Sequence, residues 1–209
     1  MKKFQKFEAF TGLEAAIVLI AFVVVAAVFS YVVLGAGFFT TQKAQQVVYT
    51  GVQQASSNIL ILGETYGYSV NPSVGINAIE FSIGLAAGGT AIDMNKTTFT
   101  YQNSTILRTI DFPTGNTTGP FCGSSGGTEQ PEPGAWQWCI MGTQNADGDA
   151  LLERNEQFTV QVNLSAASDP TGWLPPSEDF TLTIRPDIGA ALPIHKAAPG
   201  GLTPVNLLY

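Results

Sequence analysis

An α+β chain is predicted: a long hydrophobic N-terminal α-helix followed by an antiparallel β-sandwich. Three observations carry that prediction. Residues 10–39 hold a single charge, Glu14. Past Lys43, apolar residues recur at spacings of three and four, the period of a helix with one apolar stripe. After Gly63 the period falls to two, in short runs divided by Gly, Pro and Asn, as in strands with one buried face.

The 209 residues have room for the apolar segment and one globular domain of ordinary size. Charged residues make up 12% of the chain and the formal net charge is −7. The only Lys/Arg cluster is Lys2, Lys3 and Lys6, so the basic patch that nucleic-acid binding requires is missing.

Residues 1–9 read as a short positive leader. In a secretory signal the apolar core precedes the cleavage site and is lost. Here the favoured site, Ala9–Phe10, precedes the apolar run, so the run would stay in the mature chain. Cutting there removes three lysines and Glu8 and takes the net charge from −7 to −9.

A helix is expected over residues 10–62, in two halves. Leu13 to Leu34 is apolar all round. Its β-branched residues are poor helix formers in water, but in lipid the alternative is unsatisfied backbone, and helix wins. Gly35 and Gly37 interrupt the run and are candidate points of bending. Beyond Lys43, Ala44, Val47, Val48, Val52, Ala55, Ile59 and Leu62 form a stripe with Gln45, Gln46, Gln53, Gln54 and Ser57 between them. Fifty helical residues span about 75 Å, against roughly 30 Å of bilayer core. The second half therefore lies beyond any membrane the first half crosses, and it wants partner helices.

Residues 63–209 are expected to form the β domain. Ile79, Phe81 and Ile83 alternate with polar residues, as do Phe158, Val160, Val162 and Leu164, and Phe180, Leu182 and Ile184. Weaker strand signals cover 66–70, 97–102, 105–112, 136–141 and 190–194. Seven or eight short strands suggest an immunoglobulin-like sandwich. Residues 112–135 are the most loop-like part. Cys122 and Cys139 flank much of that loop with no His nearby, which disfavours a thiolate zinc site. Outside the cytoplasm they are candidates for a disulfide; otherwise they are two buried thiols.

Residues 145–156 place oxygen side chains at loop positions 1, 3, 5 and 12, as a calcium loop of EF-hand type requires. Asn145, Asp147, Asp149, the Leu151 carbonyl and Glu156 are the candidate ligands for Ca2+ or Mg2+. Ala150 stands where glycine is expected and no helices flank the loop, so a plain Asx/Gly turn is the alternative. Four Asn-x-Ser/Thr sequons, at Asn95, Asn103, Asn116 and Asn163, all fall in the β domain and are candidate glycosylation sites. Nothing points to catalysis. The single His195 stands in a Pro-containing C-terminal stretch, and Trp136, Trp138 and Trp173 read as core or contact residues.

The junction Phe10-Thr11-Gly12-Leu13-Glu14, behind lysines and a small residue, resembles the N-terminus of class III signal peptide proteins, the type IV pilins and archaeal flagellins (archaellins). The continuation Ser-Tyr-Val-Val-Leu-Gly-Ala-Gly into a Gln-rich helix resembles archaellins in particular. The resemblance implies cleavage after Ala9 by a prepilin-type peptidase, with Phe10 as the first mature residue. Glu14 would then be mature residue five, where pilins carry a glutamate that meets the α-amine of a neighbouring subunit. Ala9 departs from the commoner glycine, and a cut after Gly12 competes. For Glu14 the alternative is a place at the headgroup interface of an anchor helix.

The expected protein is thus a structural subunit of the archaellum, an extracellular motility filament. It would be held in the membrane before assembly and then polymerise with itself, and with other archaellins where present, on a membrane assembly platform. Phe10, Gly12 and Glu14 would be its assembly residues, and torque would come from a separate ATPase. The rivals are a type IV adhesion pilin, a single-span anchored binding domain and an anchored enzyme.

Overall fold

The structure is a computed structural model that describes residues 5–112, 120–122, 133–164 and 170–209; the side chains of residues 5–11 and 170 lie outside the description. The chain divides into two compact units, residues 1–51 and 52–209.

Helix α1 runs unbroken from Gln5 to Ser56, through Gly35 and Gly37. Ser56, Ser57 and Asn58 end it. The Ser56 hydroxyl and Ser57 N–H both donate to the Gln53 carbonyl, and Asn58 Nδ2 donates to the Ala55 carbonyl. Short polar side chains that bond nearby backbone compete with continued helix. Ser57 is buried; its hydroxyl meets that of Thr90 and accepts the Thr90 N–H at 3.2 Å.

The boundary expected at Leu62 therefore moves to Ser56. Residues 59–62 open strand β1, Ile59–Tyr68. Ile59 and Leu62 fit a helical stripe, but Ile59 and Ile61 point to the sandwich core while Leu60 and Leu62 point away. That is a period of two, and tertiary pairing overrides the local pattern.

The remaining strands are β2 (Ala78–Leu85), β3 (Ile92–Asp93), β4 (Thr98–Gln102), β5 (Leu107–Ile110), β6 (Gln137–Gln144), β7 (Leu151–Leu152), β8 (Gln157–Asn163), β9 (Asp179–Arg185), β10 (Leu192–Ala197) and β11 (Val205–Leu208). They form a five-stranded sheet in the order β11-β1-β2-β8-β6, a four-stranded sheet β10-β9-β4-β5 and a small β3-β7 pair. Every ladder is antiparallel.

The three alternating runs all place their apolar members inward. Ile79, Phe81 and Ile83 of β2 oppose Val162, Val160 and Phe158 of β8, and Leu182 and Ile184 of β9 oppose Tyr101 and Phe99 of β4. The sheets meet through aromatic pairs: Phe81 to Phe99 at 6.4 Å and Phe99 to Trp138 at 4.4 Å between centroids. One core cluster runs through both sheets. Strand β1 is irregular between Leu62 and Tyr66, where Gly63 adopts φ +80°, a conformation L side chains rarely take.

At the β6 edge, Phe121 bridges Ile140 in parallel, and Cys122 is joined to Cys139 by a disulfide. Charge is divided unevenly between the units. Fourteen of the sixteen acidic residues but only five of the nine cations lie in residues 52–209. Among the described residues the one ion pair is Lys96 Nζ to Asp93 at 2.9 Å.

Candidate assembly surface

The helix carries the assembly residues predicted from sequence. Ala9 and Phe10 lie on its first turns, but their side chains are outside the described set. Gly12 and Glu14 follow on the same helix, and every residue from Gly12 to Ala55 is exposed. The most apolar window of this helix has a mean hydropathy of 3.0, with none of it buried within the chain. Apolar residues on all sides of a helix belong in a membrane or among other helices.

The threonine hydroxyls on its second half are satisfied from within. Thr40 donates to the Ala36 carbonyl at 2.8 Å, Thr41 to Gly37 at 3.0 Å and Thr50 to Gln46 at 2.9 Å. Lys43 Nζ donates to Gln46 Oε1 at 3.1 Å and lies 5.9 Å from the Phe39 ring centroid. These hydroxyls do not need water, so this surface can be covered without stranding them.

Four helix glycines are not required by any neighbour among the described residues. A Cβ added at Gly12, Gly35, Gly37 or Gly51 would meet nothing within 4 Å. Each glycine costs about 1 kcal/mol of helix stability relative to alanine. Glycine on a helix surface lets a second backbone come close.

The residues expected to hold a cation do not assemble into a metal centre. Among the described residues no group of three His, Cys, Asp or Glu is placed to hold a metal ion. Glu156 is buried, and its oxygens accept the backbone N–H of Asp147 at 3.3 Å and of Glu153 at 2.9 Å. Asp147 accepts the N–H of Asp149, and Asp149 that of Leu151. Asn145, in a left-handed conformation with φ 57°, donates to the Asn155 carbonyl at 3.4 Å. Leu151 belongs to β7 and pairs with Asp93. These bonds to backbone N–H groups close the loop as successive Asx-type turns, each using one carboxylate oxygen.

The sequons divide. Asn95 is exposed, its Nδ2 donating to Asp93 at 3.0 Å. Asn103 is half-buried, its Oδ1 accepting the N–H groups of Thr105 and Ile106. Asn116 lies outside the described residues. Asn163 corrects an expectation, because the outward side of β8 is covered at this end. Its amide is buried and donates to the Pro133 carbonyl at 2.8 Å, so a glycan there would have to break the fold. His195 is exposed and pairs with Thr181 across β9 and β10, and Trp138 belongs to the core.

Sequence reasoning overlooked Tyr68 and Glu80 on the outer side of the five-stranded sheet. Burial pushes the Glu80 carboxyl above the usual carboxylate range, against the pull of its hydrogen bond with Tyr68. Burial and the neighbouring Glu80 raise the Tyr68 phenol in turn. No local motif marks such a cross-strand pair.

The archaeal-type flagellin family matches residues 9–196. The chain is an archaeal flagellin. This flagellin is 39% identical to probable flagellin 1 of Archaeoglobus fulgidus, over 100% of this chain and 98% of that one. Its structure is similar to the archaeal flagellum of Methanospirillum hungatei strain JF1, with a TM-score of 0.67, 30% identity, and coverage of 95% of this chain and 99% of that chain. It shares its fold with flagellin FlaB1 of Methanocaldococcus jannaschii, at a TM-score of 0.58 and 18% identity, over 73% of this chain and 96% of that chain. The flagellin is a structural subunit of the archaellum, a filament at the cell surface built by self-assembly. The adhesion-pilin reading is not favoured.

Proposed function

We propose that helix α1 serves twice, first as a membrane anchor and then as the polymerising element of the filament. The carrying observation is its surface, exposed from Gly12 to Ala55 and apolar on all sides from Leu13 to Leu34. Burial among copies is worth about 25 cal/mol per Å² of apolar area. The glycines at 12, 35, 37 and 51 leave room for close approach by neighbouring helices.

Before assembly, Lys2, Lys3 and Lys6 hold the N-terminus on the cytoplasmic side and the β domain lies outside. A prepilin-type peptidase then cuts between Ala9 and Phe10, and an assembly platform feeds the subunit into the filament, alone or beside other flagellins. The new amine on Phe10 gives Glu14 of a neighbouring subunit a cationic partner, which a carboxylate in apolar surroundings requires. Asn95 and Asn103 are the described sequons with accessible side chains, and the β domain carries any glycan there.

N-terminal sequencing of sheared filaments tests the processing step. Phe10 is the expected first residue; Met1 or Leu13 would overturn the assignment. Glu14→Gln is expected to reduce filament yield in cells, and unchanged yield would remove the amine pairing.

A further inference from the structure

The outer faces of the two sheets are unlike. On the four-stranded sheet the outward residues include Thr98, Thr100, Thr109, Thr181 and Thr183, a hydroxyl-rich face suited to water, with Leu107 at its edge. On the five-stranded sheet the outward residues along β11 and β1 are mostly apolar, Glu64 apart. Leu60 is 47% exposed, Tyr66 41%, Val205 53% and Leu207 49%. Register places Tyr66 directly opposite Leu207 and Tyr68 opposite Val205, so they form one strip.

The strip is not an accident of a weakly specified strand. Asn206 and Leu208 point inward and are buried. Asn206 Nδ2 donates to the carbonyls of Thr203 at 2.6 Å and Gly67 at 3.3 Å, and its Oδ1 accepts the Thr203 N–H at 2.7 Å. With a polar residue bonded inside, the side-chain period of two forces Val205 and Leu207 outward. Strand β11 is also the edge of its sheet. Edges carrying exposed apolar residues attract other chains and are ordinarily blunted by charge. Here the neighbouring charges are Glu64, exposed in the β1 irregularity, and the half-buried Glu80.

We propose that this strip, Tyr66, Val205 and Leu207, is the surface through which the β domain of one subunit seats on a second copy in the filament. A contiguous apolar strip rimmed by polar residues marks an interaction site. The chain is a filament subunit, so the surface at hand to cover it is another copy. Contacts in an open helical polymer are heterologous, and the strip meets a different patch on its neighbour. The inference rests on membership of the filament and not on the pairing of Phe10 with Glu14.

Cysteine labelling tests it, since the described residues contain no free thiol. Leu207→Cys and, as control, Thr183→Cys are labelled with a maleimide in purified filaments and in folded subunits released by detergent. The expected result is loss of labelling at position 207 in filaments alone, with position 183 labelled in both. Equal labelling of position 207 in both states would overturn the proposal. Protection that appears only with other cell-surface material attached would assign the strip to a different partner and overturn it equally. Should L207C not assemble, Val205→Cys on the same face takes its place. As a second readout, the double variant Tyr66→Ser, Leu207→Ser should lower the temperature at which filaments come apart and leave β-domain unfolding unmoved. Filaments of unchanged thermal resistance would count against the strip.

Discussion

In the β domain Phe81 and Phe158 are at most 1% exposed, whereas on the helix Phe22 and Phe29 stand about 70% open. The same side chain is used in two economies. The β domain closes its apolar surface on itself between two sheets, and its stability is a property of one chain. The helix leaves its apolar surface open on every side, so its stability depends on what surrounds it. A protein of this kind folds twice: once as a domain, and again as part of a polymer.

The contrast breaks most sharply if charge is placed on the helix. Val24→Asp puts a carboxylate where copies are expected to pack, at a cost of about 3 kcal/mol in an apolar setting, repeated in every subunit. No filaments should appear by electron microscopy, while a chain cut to residues 52–209 should melt at the same temperature as the β domain of the intact protein. A truncated domain that fails to fold would show that the two units are not separable.

Trp138→Ala works the other way. Deleting this core side chain should cost the β domain about 3–5 kcal/mol in denaturant unfolding, by cavity formation and lost burial. Replacing both Cys122 and Cys139 by serine should cost about 3 kcal/mol on the chain-entropy account, and reducing agent should reproduce the loss in the native protein.

A smaller effect separates the faces of the β domain. The Glu80 carboxyl is raised by burial, so its protonated form is the one the fold favours. Stability from this group is present below the usual carboxylate pKa and is lost as pH rises through the higher folded value. Glu80→Gln should therefore raise the melting temperature at neutral pH, and the gain should vanish in acid. The smallest effect is expected from chelation. With Glu156 bonded to two backbone amides, EDTA should leave the β-domain melting temperature unchanged; a clear fall would show a bound cation.

Much of this was legible in the residues. The helix could be read because an apolar run of that length has few places to go, and the central strands because Ile79, Phe81 and Ile83 alternate without exception. Its end could not, since Ile59 and Leu62 satisfy a helical stripe and a strand equally well. At Asn163 polarity suggested solvent, but the chain at Pro133 covers that face, and cover from distant residues leaves no local trace. Residues 145–156 show what spacing leaves open. The pattern fixes where oxygens stand along the chain, not whether they converge on one point or turn back to the backbone. Strand β11 inverts its own pattern, with Asn206 inside and Leu207 outside, because hydrogen bonds to Thr203 and Gly67 outweigh side-chain polarity.

The uneven division of charge has a colloidal consequence. With the leader removed as proposed, the side-chain charges of residues 10–51 cancel, Glu14 against Lys43, and the excess of nine negative side chains belongs to residues 52–209. Multiplied along a polymer, that excess makes the filament a polyanion. Two such filaments repel at distances up to a Debye length, about 8 Å at physiological ionic strength. Attraction drives subunits together along one filament, while repulsion keeps one filament from sticking to the next. Single, separate filaments are the expected state at low salt, and lateral bundling should set in as salt or multivalent cations screen the surface.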